Sequence, residues 1–261
     1  MYRQWAAASP RIVMLLVHGL GAHSGRWESL SRFLLQEDIA SYAVELRGFG
    51  ETAGPKGHVG SLKVYLDDIC GLGEVIRREH PQAKIFLLGE SLGGLIAFLL
   101  AALRPGLFSG LICISPAFKN KMKGAMKIFV RAYAALLYDR RKQFPVPFDS
   151  RMCTRDPLFQ KILDEDPKEY RRASSWFLFV TRLAQIRAGF LKNRIILPTL
   201  FLVAGEDLLV DSRASEEIFK GLRVKDKTFI AYPGMYHALS TDLGKEKVFA
   251  DILKWVRERS R

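Results

Sequence analysis

Cysteine is scarce in this sequence of 261 residues. The three cysteines, Cys70, Cys113 and Cys153, lie far apart, and no Cys-x-x-Cys pair or histidine-rich spacing accompanies them. This pattern excludes the common zinc and thiol redox motifs, and it provides no disulfide framework. We therefore expect three buried thiols in a reducing compartment, which favours a cytoplasmic location, and we expect no metal site.

Long hydrophobic runs are absent as well. No stretch approaches the roughly 20 apolar residues that a transmembrane helix requires. Near the N-terminus, the apolar run Ile12–Val17 follows a stretch of small residues, which is the reverse of the order in a secretory signal peptide. We interpret this run as the first strand of a globular chain.

Acidic residues are sparse in the middle of the chain. The net charge is +13, and residues 117–194 contain 18 Lys and Arg but only 7 Asp and Glu, a balance of +11. The remaining residues carry a balance of only +2. A basic surface can bind nucleic acid, but no nucleic-acid-binding motif is present, so we expect no such partner. The contrast in composition indicates that the basic segment is an insertion.

Short apolar strands alternate with helices along the rest of the chain. The predicted strands are Arg11–Val17, Ile39–Leu46, Lys84–Leu88, Leu111–Ile114, Thr199–Ala204 and Thr228–Tyr232. The predicted helices are Trp27–Leu35, Leu62–Ile76, Leu92–Leu103, Ser212–Phe219 and Lys245–Arg259. Because the strands are apolar throughout, they predict an α/β fold whose mostly parallel central sheet is covered by helices on both faces. Active sites in such sheets lie at the carboxyl ends of the strands.

One candidate nucleophile follows a predicted strand. The stretch GESLG, residues 89–93, fits the pattern G-x-S-x-G, which by itself also occurs by chance. Here it lies between a strand and a helix, the setting of a nucleophile elbow. The glycines would permit a sharp turn, and Ser91 would project its hydroxyl above the sheet. The Leu92 amide and the positive end of the helix would point to the same place.

A serine hydroxyl needs a base beside it, and the base needs an acid to orient it. His237 is the only histidine after Ser91, and it lies in a loop after a predicted strand. Asp207 lies directly after the glycine turn that ends the preceding strand and is the preferred acid, with Glu206 and Asp211 as alternatives. Asp211 would begin the next helix, where a carboxylate serves as a cap.

The loop HGLG, residues 18–21, follows the first predicted strand. Together with the amide of Leu92, the amide of Leu20 could supply the two donors that stabilise an oxyanion. We interpret His18 as a buried residue that organises this loop and not as a catalyst. The glycines at 19, 21 and 25 do not fit a dinucleotide-binding G-x-G-x-x-G motif.

Together these motifs resemble the α/β-hydrolase superfamily, most closely its monoacylglycerol lipase and lysophospholipase-like branch, which is grouped with serine aminopeptidase-type hydrolases. The resemblance rests on HGLGAHSGRW (18–27), ELRGFGET (45–52), GHVGSLKVYLDDI (57–69), LLGESLGG (87–94), ISPAF (114–118), VAGEDLLVDS (203–212) and YPGMYHALSTDLGKEKVFADILKWV (232–256). Two features depart from it. The short N-terminus leaves little room for the early antiparallel strands of many members, and RGFGET replaces a common GHG, which we interpret as a structural turn.

The resemblance implies an α/β-hydrolase core in two parts, 1–116 and 197–261, with a helical basic cap or lid at 117–196. It implies Ser91 as nucleophile, Asp207 as acid and His237 as base, with Leu20 and Leu92 as backbone oxyanion donors. No cofactor or metal takes part. The implied activity is hydrolysis of monoacyl lipid esters through an acyl-enzyme.

Two alternatives remain open from the residues alone. The same triad serves aminopeptidases and carbon–carbon hydrolases, and an inactive ligand-binding protein could keep the fold. A basic lid disfavours a cationic amino terminus and favours a neutral or anionic acyl ester as the small-molecule substrate. Its mixture of cations and bulky apolar residues predicts an acyl tunnel and peripheral contact with anionic membrane surfaces.

Overall fold

The computed structural model of the protein describes residues 1–121 and 125–260; residues 122–124 of the predicted lid and Arg261 lie outside the described residues. The strands are β1 (Tyr2–Trp5), β2 (Ile12–Val17), β3 (Ala40–Val44), β4 (Lys84–Glu90), β5 (Gly110–Ile114), β6 (Gln143–Pro145), β7 (Arg172–Ser174), β8 (Thr199–Ala204) and β9 (Lys227–Tyr232). The helices are α1 (Glu28–Leu35), α2 (Leu62–Glu79), α3 (Leu92–Leu103), α4 (Ala125–Ala135), α5 (Ser150–Cys153), α6 (Pro157–Glu165), α7 (Ser175–Leu191), α8 (Ser212–Lys220) and α9 (Lys245–Glu258).

The main sheet has the order β1-β3-β2-β4-β5-β8-β9. Strands β3, β2, β4, β5, β8 and β9 are parallel to their neighbours in this order, whereas β1 pairs antiparallel with β3, Tyr2 opposite Val44. The predicted mostly parallel α/β sheet is therefore confirmed. The expectation about the N-terminus was too strict, since four residues before β2 suffice for one antiparallel edge strand.

Apolar residues cover both faces of the sheet, which explains why its strands lack an alternating pattern. In β2, Val13 and Leu15 belong to a cluster shared with α2 and α3, whereas Met14 and Leu16 belong to one shared with α1 and α9. Helix α3 is buried along nearly its whole length, as expected for a helix that is apolar all round. Packing on both faces thus fixes the strands, and with them the points at which the loops of the carboxyl edge begin.

Between β5 and β8 the chain leaves the sheet and forms α4 to α7; we call this segment, residues 117–196, the cap. Strands β6 and β7 form a separate antiparallel pair within it, a feature that the sequence did not predict. The ring of Phe177 in α7 lies 5.6 Å from that of Phe49 and 6.5 Å from that of Tyr65. These aromatic contacts attach the cap to the core.

A second attachment joins the cap to the loop that follows β9. The buried Asp242 carboxylate accepts hydrogen bonds from the Arg155 N–H (2.7 Å), Arg155 Nε (2.9 Å), Thr154 Oγ1 (3.1 Å) and the Tyr236 N–H (2.8 Å). Because Thr154 and Arg155 follow α5 and Tyr236 follows β9, one carboxylate fixes the cap and the core to each other.

The turn between β4 and α3 requires close backbone contacts that only glycine permits. A Cβ atom at Gly93 would lie 2.1 Å from the Val17 carbonyl oxygen, and one at Gly89 would lie 2.2 Å from the Gly93 carbonyl oxygen. Real Cβ atoms do not approach backbone oxygens so closely. The two glycines of the G-x-S-x-G pattern are therefore steric requirements of this junction.

We expect Gly93→Ala to lower the free energy of unfolding by about 3 kcal/mol, because the added methyl group overlaps the β2 backbone. The matched control is Gly71→Ala in the interior of α2, where nothing lies within 4 Å of the added Cβ. This substitution should instead raise stability by about 0.5–1 kcal/mol. Urea denaturation of both variants measures the difference. Equal stability of Gly93→Ala and the parent would contradict the steric account.

Candidate active site

Ser91 lies at the carboxyl end of β4, at the point where the chain turns into α3. Its backbone has φ 58° and ψ −118°, a conformation that costs energy for a residue with a side chain. The end of β5 and the loop after it hold the turn: the Ser91 N–H donates to the Ile114 carbonyl at 2.9 Å, and the Ser91 carbonyl accepts from the Ala117 N–H at 3.0 Å. This is the strained geometry expected of a nucleophile elbow.

His237 lies in the loop after β9, and Asp207 lies in the loop after β8. The two loops are joined by a hydrogen bond from the Glu206 N–H to the Met235 carbonyl at 3.0 Å. The Asp207 side chain is 1% exposed, and its Oδ2 lies 2.8 Å from His237 Nδ1. Its other oxygen, Oδ1, accepts hydrogen bonds from two backbone N–H groups. These bonds fix the orientation of the carboxylate, so that Oδ2 faces the imidazole.

The structure separates Asp207 from the two alternative acids. The Glu206 side chain is exposed. Asp211 accepts a hydrogen bond from the Arg213 N–H at 3.1 Å as the N-cap of α8, and it pairs with Lys119 at 3.0 Å. Asp211 thus has the structural role that a carboxylate at a helix start usually has.

Opposing effects set the pKa of the His237 imidazole. Burial lowers it, whereas the charge and hydrogen bond of Asp207 raise it, with a smaller upward effect from Glu90 and a downward one from Arg26. The net pKa lies above the ordinary value of 6.5. A proton that the ring accepts is therefore stabilised, which suits a general base that removes a proton from a hydroxyl group.

His18 is buried and organises the loop after β2. Its Nε2 accepts the Leu46 N–H at 3.0 Å, so its Nδ1 carries the proton and donates to the Gly19 carbonyl at 2.8 Å. Burial lowers the pKa of His18 to about 4, which keeps the ring neutral. The adjacent Glu45 carboxylate accepts the N–H groups of Ser24 (2.7 Å) and Glu51 (2.9 Å), so the RGFGE turn acts structurally.

The HGLG loop and the first turn of α3 both lie beside Ser91. A Cβ atom at Gly19 would be 3.3 Å from Ser91 Cβ, which places the HGLG loop against the serine. Within residues 1–121 and 125–260, the N–H groups of Leu20 and Leu92 donate to no protein acceptor. Leu92 is the first residue of α3, where N–H groups have no partner within the helix. Both groups remain able to bind an oxyanion.

Ser91 and His237 line one cavity of about 530 Å³ between the core and the cap. Apolar side chains make up most of its wall: Leu20, Leu92, Met126, Ile128, Phe129, Val146, Phe148, Phe177, Leu178, Leu209 and Val210. Cations also reach the lining, namely Arg26, Lys119 and Arg182, and Glu90 is its one carboxylate among the described residues. The cavity suits a ligand with a long apolar part.

A family model described as serine aminopeptidase, S33, matches residues 8–244. The chain belongs to this family. Human monoglyceride lipase is 30% identical over 262 residues, which cover 99% of this chain and 86% of the human protein. Monoacylglycerol lipase of Mycolicibacterium smegmatis is 28% identical, with 98% of this chain and 92% of that protein covered. The crystal structure of Paleococcus ferrophilus monoacylglycerol lipase is 28% identical and superposes with a TM-score of 0.90 over 99% of this chain and 98% of that chain.

This S33-family chain is therefore a hydrolase of the lipase and esterase class, with the α/β-hydrolase fold. The resemblance to the monoacylglycerol lipase branch, inferred from the motifs, is confirmed.

Sequence reasoning missed two polar residues of this hydrolase that line the cavity. Arg26 donates from Nε (3.0 Å) and Nη2 (2.8 Å) to Glu169 of the cap. Glu90, the residue before the nucleophile candidate, accepts two hydrogen bonds from Ser240. A charged residue at the end of an otherwise apolar strand was the available signal for Glu90, but its partner lies 150 residues away.

We expect the pKa of His237 to lie above 6.5 in the parent and to fall in Asp207→Asn, because the amide supplies no negative charge. The Asn oxygen can still accept the N–H groups of Leu209 and Val210, so the loop should be retained. NMR titration of the imidazole C–H signals, assigned with His237→Gln, measures both values. His18, with a pKa of about 4 in both proteins, is the internal control. An unchanged His237 pKa would contradict this account.

Proposed function

We propose that the protein hydrolyses carboxylic esters of monoacyl lipids, of the monoacylglycerol or lysophospholipid type, through an acyl-enzyme on Ser91. The observation that carries this proposal is the shared cavity. It combines Ser91, a histidine hydrogen-bonded to a buried carboxylate, and a wall of apolar side chains. The names of the relatives, which are monoglyceride and monoacylglycerol lipases, support the same substrate class.

In the proposed reaction the Ser91 hydroxyl attacks the ester carbonyl carbon while His237 accepts its proton. The N–H groups of Leu20 and Leu92 stabilise the negative oxygen of the tetrahedral intermediate. The ester C–O bond then breaks, and the leaving alcohol takes the proton from His237. Water, deprotonated by His237, then attacks the acyl carbonyl carbon. The bond from this carbon to Ser91 Oγ breaks, His237 returns the proton to Oγ, and the acid is released. The Asp207 carboxylate stabilises the imidazolium in both steps.

The charges of the cavity favour an ester over a peptide amino terminus. An aminopeptidase must bind a cationic amino group beside its scissile bond. Of the three cations that reach this lining, Arg26 pairs with Glu169 and Lys119 pairs with Asp211, so Arg182 is the one without a carboxylate partner among the described residues. The carboxylate of the lining, Glu90, is already bonded to Ser240. A neutral or anionic acyl ester avoids charge repulsion here. Burial of its acyl chain contributes about 0.8 kcal/mol per CH₂ group.

We expect Ser91→Ala to lower kcat for a monoacylglycerol or p-nitrophenyl acyl ester at least about a thousandfold, because the attacking atom is lost. The variant should unfold at about the parent temperature, because alanine keeps the Cβ atom of this turn and only the hydroxyl group is removed. Steady-state kinetics and thermal denaturation measure the two properties. Turnover at the parent rate by a folded Ser91→Ala protein would rule out the proposed nucleophile.

A substrate series on the parent separates the alternatives. For an ester hydrolase with this cavity, kcat/KM should rise by up to about fourfold per added methylene until the chain fills the cavity. Aminoacyl anilides and carbon–carbon substrates should react more slowly than esters. An amide that outperforms every ester would favour the aminopeptidase alternative. A parent that converts none of these substrates would favour an inactive binding protein.

The outer face of the cap supports peripheral contact with anionic membranes as a further part of the proposal. Met126 is 74% exposed and Leu137 is 91% exposed, and Val130 and Tyr138 are exposed beside them. The exposed cations of the same segment are Lys127, Arg131, Arg140, Arg141 and Lys142. Met126 also lines the cavity, so the cavity reaches the surface at this patch. No helix among the described residues is long and apolar enough to span a bilayer.

We expect the protein to bind vesicles that contain phosphatidylserine more tightly than neutral phosphatidylcholine vesicles at low salt, because cations and apolar side chains share this face. Leu137→Glu should weaken the binding. The matched control is Leu243→Glu, at an exposed position outside the cap, which should leave vesicle binding unchanged. Co-sedimentation measures all three proteins. Equal binding to both kinds of vesicle would end the membrane proposal.

A further inference from the structure

Glu90 is a buried carboxylate beside the proposed nucleophile. It is the last residue of β4, it is 8% exposed, and it lines the cavity that contains Ser91 and His237. Its two oxygens bond to one residue: Oε1 accepts the Ser240 N–H at 3.1 Å, and Oε2 accepts the Ser240 Oγ–H at 2.8 Å. Burying a carboxylate is costly, and an apolar side chain could fill the space, so its presence calls for an explanation.

Ser240 belongs to the same tight turn as His237. The Leu239 N–H donates to the His237 carbonyl at 3.1 Å, and the Thr241 N–H donates to the Ala238 carbonyl at 2.9 Å. Two residues, Ala238 and Leu239, separate His237 from Ser240, and these bonds keep the backbone between them compact. A group that holds Ser240 in place therefore also holds the backbone of His237.

We propose that Glu90 is a positioning residue for the reaction, which fixes the His237 turn against the Ser91 elbow through Ser240 and adds a second carboxylate near the imidazole. Asp207 orients the ring through Nδ1, whereas Glu90 positions the backbone that carries the ring. This inference rests on the proposed function, because the positioning matters only if Ser91 and His237 react together.

The charges around His237 agree with this role. Asp207 raises the pKa of His237 most, Glu90 raises it further, and Arg26 lowers it. The pKa of Glu90 itself is also subject to opposing effects. Burial raises it, whereas the hydrogen bonds from Ser240 and the charges of His237 and Arg26 lower it. The Cys153 thiol also faces this part of the cavity, and it stays neutral because burial raises its pKa to about 12.

Three variants separate the positioning effect from the charge. Glu90→Gln keeps an acceptor for the Ser240 N–H and offers an amide N–H to Ser240 Oγ, but it removes the charge. Glu90→Ala removes both. Ser240→Ala keeps the charge and the backbone hydrogen bond and loses only the hydroxyl bond. We would measure kcat and KM for an acyl ester from pH 5 to pH 10, together with thermal denaturation.

In Glu90→Gln we expect the ascending limb of the pH profile of kcat/KM to move to lower pH. The reason is that a carboxylate that raises the pKa of His237, the base in the free enzyme, is lost. In Ser240→Ala we expect the limb to stay in place and kcat to fall at nearly constant KM. In Glu90→Ala both changes should occur, with kcat lower by up to about 100-fold, since misplacement of a catalytic group has effects of this size. A role in stability alone would move the denaturation temperature but neither the limb nor kcat.

The inference is overturned if Glu90→Gln leaves the limb in place and Ser240→Ala leaves kcat unchanged. Both variants retain most of the contacts, so this result remains decisive even if Glu90→Ala does not fold. Ser91→Ala, measured in the same assay, distinguishes failure of the positioning role of Glu90 from failure of the proposed function. Lost turnover in Ser91→Ala beside parent-like Glu90→Gln and Ser240→Ala would reject the positioning role alone, whereas persistent turnover in Ser91→Ala would reject the proposed function.

Discussion

The close approach of backbone atoms at the turn between β4 and α3 is the constraint on which the rest of the site depends. The carbonyl oxygens of Val17 and Gly93 lie only 2.1 Å and 2.2 Å from the positions that Cβ atoms of residues 93 and 89 would take. This contact brings the first loop of the sheet and the start of α3 to the same point. Ser91 accepts a strained backbone there, and the bonds to Ile114 and Ala117 hold it in that conformation.

The remaining parts of the site come from three other strands of the sheet, with β2 on one side of β4 and with β8 and β9 on the other. The loop after β2 brings Leu20, and the loops after β8 and β9 bring Asp207 and His237. The His237 loop is in turn held at separate points, by Asp207, by Glu90 through Ser240 and by the cap through Asp242. Since Asp242 bonds both to the cap and to this loop, displacement of the cap would also move the backbone that carries the imidazole. The same cap supplies much of the apolar wall and the basic outer face.

Features that depend on local sequence could be predicted. The β2 residues alternate between two clusters on opposite faces of the sheet, so an unbroken apolar run was a reliable indication of a covered parallel strand. The glycines around Ser91 and the position of Asp207 after a strand are local signals as well. The loop-organising role of His18 followed from its place after β2.

Features that depend on distant partners could not be predicted in this way. The role of Glu90 depends on its hydrogen bond with Ser240, and that of Asp242 on its hydrogen bond with Arg155. The residues of each pair meet only once the sheet and the cap have formed. Similarly, β6 and β7 pair across the cap, and β1 depends on the free edge of β3. Short strands carry little periodicity of their own, so their existence is decided by what lies beside them.

Covalent trapping of Ser91 tests the central claim most directly. The protein would be treated with an alkyl fluorophosphonate, digested and analysed by mass spectrometry, with Asp207→Asn and His237→Gln treated in parallel. The account predicts one phosphonyl group on the peptide that contains Ser91, and much slower labelling in both variants, because the hydroxyl needs the imidazole and its carboxylate to become nucleophilic. Labelling at another residue, or equal labelling rates in all three proteins, would contradict it.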